Sequence, residues 1–502
     1  MAGQSDQTRP APPFVIGIRR ELFVDDYLVD RSSSSVEFRL HRPVETNDAF
    51  VHDTPWEGNR SMYVTIFRDG DIYRMYYRGS EIAAEDGNYT IPYNVTWYAE
   101  SRDGIHWKRP ELNLVPFRGS TQNNIILSGE VSRAFVPFKD ANPDCKSEHR
   151  YKVFVAVYRP VRGLHAYSSP DGIHWNPLKD RAVITTGYFD SQNLAFWDSN
   201  RSCYVSYHRA LRGGPGMIIS PSHEGSTKDV MTATSQDFVE WTEPVFLEYS
   251  YERWTRFSSK PTPVNVSPYI QLYTSQIQTY HRAPQIYLGF PTRYVANRKK
   301  LTAFNRHLSE GVEYFGTDYT DSGFIAGHDG QRFQFWDEAL VRPDIEEKGR
   351  WVYGDNFQAL GIIETESRIE GAPNELSIYV NENFWREPRL RRYRLRLDGF
   401  VSARAGVSGG ELITKSLVMD GKELELNMAS SAVGSITVEI QFPDGRPVEG
   451  YELENCDELF ADKVSHTVKW HQGADVTALA GKAIRLRFRI RDADLYAFRF
   501  RP

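Results

Sequence analysis

The chain has 502 residues, 40% hydrophobic and 25% charged, with 60 basic against 66 acidic side chains and a formal net charge of −6. That length suggests roughly two to four structural units, and the composition excludes extended disorder. The charge balance excludes a broadly cationic nucleic-acid-binding surface, and no apolar run nears the roughly 20 residues of a membrane-spanning helix. Aromatic residues make up 13% of the chain, a richness that suits β-sheets and sugar-stacking surfaces.

At the N terminus, MAGQSDQTRPAPP lacks the basic and apolar regions of a secretion signal, and residues 1–20 read as a loose arm. The compartment is left open between the cytoplasm and an export route with the signal removed. FVDDYLVD (Phe23 to Asp30) reads as a strand that closes a ring. Cys145, Cys203 and Cys456 stand alone, which excludes a disulfide framework and a structural zinc site.

The next 380 or so residues repeat themselves. SRDGIHW (Ser101 to Trp107), SPDGIHW (Ser169 to Trp175) and SQDFVEW (Ser235 to Trp241) recur, and GHDGQRF (Gly327 to Phe333) and RLDGF (Arg396 to Phe400) are degenerate copies. The spacing is roughly 67 residues, except that the fourth unit carries an insertion of roughly 25 residues around Tyr294 to Thr317. Each copy follows a strand pattern and precedes a short loop. The expected geometry is a β-hairpin in which Asp caps the turn, Gly supplies positive φ and Trp packs between sheets. With strand pairs such as YVTIFRDGDIYRMYYRG (Tyr63 to Gly79) upstream, each unit holds about four strands. Such units read as propeller blades, five in number, over residues 21–403. A unit of roughly 70 residues buries too little surface to stand alone.

In a propeller the innermost strand of each blade lines a central funnel, so polar clusters ahead of those strands are the candidate chemistry. The first, HDTPWEGNRSMYV, offers Asp53 and Glu57 beside His52, Trp56 and Asn59. The third blade opens with YFDSQNLAFWD, with Asp190, Gln192 and Asn193. Trp254 and Arg256 are rim candidates ahead of the fourth, whose Tyr280, His281 and Arg282 precede an apolar strand, with Arg293 beyond it. The fifth opens with WVYGDNFQALGII, with Asp355 and Asn356. Glycosidic cleavage needs one carboxylic acid as proton donor and one carboxylate as base or nucleophile, so Asp53, Asp190 and either Asp355 or Glu57 form the expected acid constellation. His52, Trp56, Asn59, Gln192, Asn193, Tyr280, His281, Arg282 and Asn356 are expected to bind substrate. The alternating arginines of REPRLRRYRLRL read as a strand with one solvated face.

Beyond residue 403 the pattern changes to short alternating strands without a repeat copy, read as a C-terminal β-sandwich over residues 404–502. Phosphate-binding Gly loops, dinucleotide fingerprints, G-x-S-x-G and HExxH are absent, so no cofactor is expected, and no ligand spacing points to a metal.

A five-bladed propeller with S-x-D-G-x-x-W blade ends and a C-terminal sandwich resembles the furanosidase-type glycoside hydrolases of families 32, 43, 68 and 130. The family 32 motif WMNDPNG is absent from the sequence, so the resemblance points to a distinct, distant relative. It implies an acid triad drawn from the inner strands of the first blades. The expected activity is exo-acting hydrolysis of a terminal sugar. The alternatives are a polysaccharide lyase that uses His281, Tyr280 and Arg282 on a uronate, and a non-catalytic carbohydrate-binding propeller.

Overall fold

The computed structural model describes residues 12–85, 88–160, 162–212, 227–251, 262–263, 271–295, 318–345 and 350–502. Strand dominates, and helix among these residues is confined to short 3-10 turns such as Glu130–Ser132. The chain forms two compact units: Arg42–Leu397, and the residues up to His41 together with Asp398–Pro502.

In the larger unit, β-branched and aromatic residues fill strands that pair locally, as their fit to a pleated, half-buried surface requires. Met62–Asp69 and Ile72–Ser80 meet through Gly70 and Asp71, with Gly70 at φ +63°, the conformation a two-residue hairpin loop needs. Asn94–Ser101 and Ile125–Ser128 complete that four-stranded sheet. A second sheet holds Phe138–Lys139, Tyr151–Val157, Gly163–Ser169 and Asn176–Pro177, and a third holds Leu194–Asp198, Cys203–Arg212, Thr227–Ser235 and Val245–Phe246. The last contains Ile363–Thr365, Glu375–Glu382 and Arg389–Arg396, and is completed by Val44–Val51 from the start of the unit. Ring closure thus falls to residues 44–51 and not to Phe23–Asp30.

Neighbouring sheets pack face to face in a propeller-like arrangement. Tyr76 and Tyr98 meet Val153 and Val155, Phe154 and Ala166 meet Tyr204 and Phe238, and Val64 and Trp97 meet Tyr379 and Leu390. Among the described residues four sheets have the four-stranded blade form, against the five expected. The fourth repeat lies instead in an eight-stranded sheet. Two features enlarge it. Glu248–Tyr251 adds in parallel to Arg332–Val341. The segment pairing with Tyr319–Gly327 is split into Ala283–Gly289 and Thr292–Val295, on either side of Pro291, which has no N–H for the ladder. The insertion expected around Tyr294 to Thr317 lies mostly outside the described residues.

The repeat turns form as their residues dictate. Asp103 Oδ1 accepts from the backbone N–H groups of Ile105 and His106, both at 2.8 Å, while Ser101 Oγ accepts from Gly104 N at 2.9 Å. Asp171 and Asp237 repeat the pattern. Gly104 and Gly172 take φ of +73° and +80°, and Phe238, where the third copy lacks Gly, still adopts +67°. The Phe238 ring is buried and stacks on Phe154 at 5.0 Å, packing that offsets the backbone strain. The fifth copy departs from the set: Asp398 belongs to the other unit, where it pairs with Arg20 at 3.2 Å. The arginine run forms Arg389–Arg396, but its Arg392 is fully buried and paired with Asp48 and Glu375.

In the smaller unit, Phe14–Gly17, Arg20–Leu22 and Glu37–Leu40 pair with Leu417–Met419, Ala483–Arg501 and Val401–Ala405. The N-terminal arm and the propeller boundaries expected at residues 20 and 403 are therefore corrected: residues 14–40 contribute strands to this unit. Two 19-residue strands, Glu423–Gln441 and Ala483–Arg501, run through it, and pairing joins all its strands into one nine-stranded sheet rather than two separate ones.

Candidate functional site

At the entrance to the first sheet, Glu57 is fully buried and saturated with donors. Its Oε1 accepts from the Tyr77 hydroxyl at 2.6 Å and Arg109 Nε at 2.9 Å, and its Oε2 from Thr54 N at 3.0 Å and Arg109 Nη2 at 3.2 Å. Burial alone would raise its pKa, but buried His52, whose Nδ1 lies 3.8 Å away, together with Arg109 and Tyr77, brings it down to about 2. The Trp56 ring stacks on Trp97 at 6.2 Å, and the Asn59 amide clamps the backbone N–H and carbonyl of Ile82 at 3.0 and 3.2 Å. Asp53 stands exposed, 3.5 Å from Arg109 Nη2. The other four side chains of this cluster are engaged in local structure.

Asp355 is likewise sealed. It accepts from Phe384 N at 2.9 Å, and burial pushes it up to about 8, with Glu382 adding to the rise and Arg350, 3.5 Å away, opposing it. Asn356, at φ +62°, bonds to the Thr320 carbonyl and accepts from Arg350. Gln192 accepts from Gln276 Nε2 at 2.7 Å. Tyr280 is buried, while His281 Nε2 lies 3.3 Å and Arg282 Nη1 3.9 Å from Glu364 Oε2. His281 and Glu364 line a cleft of about 780 Å³ with Asp103 and His106, at the blade-end turns. Trp254 and Arg256 lie outside the described residues.

Asp190 has different surroundings. It follows Phe189, a bulky residue held at φ +63°, a strain of about 1–3 kcal/mol. Asn193 fixes this loop: its Nδ2 donates to the carbonyls of Phe189 and Ser191 at 3.1 and 2.7 Å, and its Oδ1 accepts from Arg209 N at 3.1 Å. The Asp190 side chain keeps 23% of its surface exposed, and its Oδ1 lies 3.6 Å from Arg209 Nη1. That oxygen has no hydrogen-bond partner among the described residues.

Around it gathers a group of cations and tyrosines. Arg209 is buried, donates from Nη1 to the Tyr273 carbonyl at 3.1 Å and lies 4.5 Å over the Tyr273 ring. Arg78 is buried 4.6 Å over the Tyr63 ring, and burial followed by Arg60 brings it down to about 10. Nε and Nη2 of both arginines lack partners among the described residues. Lys228 Nζ sits 4.2 Å from the Tyr294 ring centre, and burial followed by Arg209 pushes it down to about 8, against the pull of Asp190 and Asp318. Asp318 accepts from the Tyr294 hydroxyl. Tyr63, Tyr294, Tyr353 and Phe357 form one buried cluster, with Tyr273 packed against it. The hub therefore draws on the first, third and eight-stranded sheets and on the loop before the last.

A cation over an aromatic face gains about 2 kcal/mol when desolvated, whereas burying an ion costs several kcal/mol. Ring faces alone do not balance these charges. Chemically, the hub offers a partly exposed carboxylate beside a guanidinium, an amine brought down to about 8, and aromatic surface.

Of the expected site residues, the structure brings Asp190 to this hub, with Asn193 beneath it. Arg78, Arg209, Lys228, Tyr63, Tyr273 and Asp318 were not singled out from the sequence. A signal was present: Arg78 in YYRG and Arg209 in YHRA each come two positions after a Tyr and directly after a second ring-bearing residue, near the ends of Ile72–Ser80 and Cys203–Arg212.

No family model matches the chain. It is similar to the uncharacterized proteins MT1551 and Rv1502 of Mycobacterium tuberculosis (strains CDC 1551 / Oshkosh and ATCC 25618 / H37Rv), 27% and 28% identical over 172 residues. The match covers 34% of this chain and 47% of each relative, so it spans about half the length of these curated relatives. Among solved structures it is similar to a glycoside hydrolase, with 13% identity over 70% of this chain and 92% of that one and a TM-score of 0.42. It is also similar to an endo-arabinase from Bacteroides thetaiotaomicron, with 11% identity, 71% and 97% coverage and a TM-score of 0.37. A third is the Bombyx mori GH32 beta-fructofuranosidase BmSUC1, with 10% identity, 92% and 94% coverage and a TM-score of 0.37.

Proposed function

We propose that the chain is a glycoside hydrolase that takes a terminal sugar at the hub of its larger unit, with Asp190 as the reacting carboxylate. The observation that carries this reading is the Asp190 side chain: partly open, with an unpartnered oxygen, and held by Arg209 where aromatic residues from distant parts of the chain converge. A carboxylate so placed suits a base or nucleophile. Asp318, linked to the same cluster through Tyr294, is the carboxyl best placed to serve as its proton-donating partner. Tyr273, partly buried at the edge of the cluster, supplies aromatic surface for a sugar ring. Glu57 and Asp355 have no exposed surface and take no part in this scheme.

The test is turnover of a panel of aryl glycosides and plant or algal oligosaccharides by the intact protein and by Asp190→Asn and Asp318→Asn. Loss of turnover in both variants, with folding retained, supports the reading; full turnover by Asp190→Asn overturns it.

One observation favours a second reading. Lys228, brought down to about 8 beside Arg209, is suited to abstracting a proton next to a neutralised carboxylate, which is elimination from a uronate. Release of an unsaturated, ultraviolet-absorbing product, lost in Lys228→Met and kept in Asp318→Asn, would replace hydrolysis with that reaction.

A further inference from the structure

Among the described residues, the hub contains more fixed positive charge than its acids match. Arg60, Arg78, Arg209 and Lys228 act electrostatically on the cluster of Tyr63, Tyr273, Tyr294 and Tyr353 or on one another, whereas its described carboxylates are Asp190 and Asp318. The guanidinium Nε and Nη2 of Arg78 and Arg209 are buried, and neither finds a partner among the described residues. Elsewhere in the same unit the buried Arg392 is matched by Asp48 and Glu375. Buried donors left open cost free energy, and charged ones cost more, so donors left open in a partly accessible hub are a site prepared for an anion. A guanidinium fork matches a planar or tetrahedral oxyanion with paired hydrogen bonds, and the adjacent, partly buried Tyr273 suits a sugar ring rather than a bare ion.

We infer that the hub recognises an acidic sugar, whose carboxylate or sulfate-ester group is held by Arg209 and Arg78 while its ring lies against Tyr273, the partly buried tyrosine of the cluster. The inference deepens the carbohydrate reading above and rests on it. It assigns Arg209 and Arg78 to substrate charge, leaving Asp190 to the bond being broken.

The test is calorimetric titration of the full chain with glucuronate, galacturonate and a galactose sulfate, against glucose, galactose and inorganic sulfate. The expected result is that at least one acidic sugar binds roughly tenfold or more tighter than its neutral parent, with a preference that shrinks as salt rises. The uronate and sulfate arms show which oxyanion is taken. Arg209→Gln and Arg78→Gln should each erase the preference, and the wild-type comparison stands alone should either variant fail to fold. Equal binding of neutral and acidic sugars overturns the inference while leaving the carbohydrate reading intact. Inorganic sulfate binding as tightly as the acidic sugars also overturns it, as a site for a bare ion. Failure of every sugar to bind sinks both.

Discussion

The entrance to the first sheet and the hub around Asp190 are built from the same kinds of residue, a carboxylate, an arginine and a tyrosine, yet they do opposite things. At Glu57 every oxygen is taken by a donor and nothing is exposed. At Asp190 one oxygen is unpartnered, two arginines keep open donors and part of the carboxylate faces solvent. The difference teaches that a carboxylate–arginine pair becomes structural when its hydrogen bonds are completed within the chain, and available for chemistry when they are not.

The sharpest way to break this comparison is activity. Asp190→Asn should lower kcat by about 10²–10⁴-fold while the melting temperature stays near that of the parent, read on the most active glycoside of the panel. The mirror experiment is Glu57→Gln, which leaves Arg109 without its buried partner. It should destabilise the larger unit by about 3–5 kcal/mol, measured by denaturant unfolding. Because Glu57 titrates near 2 in the fold, below its ordinary 4.5, its contribution is full above about pH 4.5 and is lost as the pH falls towards 2. The acid limb of the stability profile should therefore be shallower in Glu57→Gln.

Asp355 tests the same logic with the sign reversed. Its folded value, raised to about 8 from 3.8, means that folding takes up a proton between those two values. Its effect is to make stability fall as pH rises through that window. Asp355→Asn should flatten the decline, seen by comparing unfolding at pH 5 and pH 8. The smallest effect is expected at Asp53, which is exposed beside Arg109: Asp53→Asn should change stability by no more than about 0.5 kcal/mol and leave turnover at the parent level. A loss at Asp53 matching that at Asp190 would mean that the two regions share one reaction, and the contrast drawn between them would fail.

The sequence by itself determined the blade-end turns, because Ser, Asp and Gly within four residues satisfy one another's hydrogen bonds whatever lies around them, as Ser101, Asp103 and Gly104 do. It also determined the strand-rich character of the chain. Strand count in the fourth unit was not legible, since the parallel pairing of Glu248–Tyr251 depends on Arg332–Val341, far along the chain, and the strands on either side of Pro291 are set by their pairing with Tyr319–Gly327. The sheet that residues 14–40 join was hidden for the same reason. Which acid is enclosed with its donors complete and which stays partly open was decided only by tertiary structure. Glu57 and Asp190 both sit in polar clusters ahead of strands and look alike in one dimension. What separates them is the number of donors that distant segments bring to each: Tyr77 and Arg109 close around the first, while among the described residues Arg209 is the one ion-pair partner of the second.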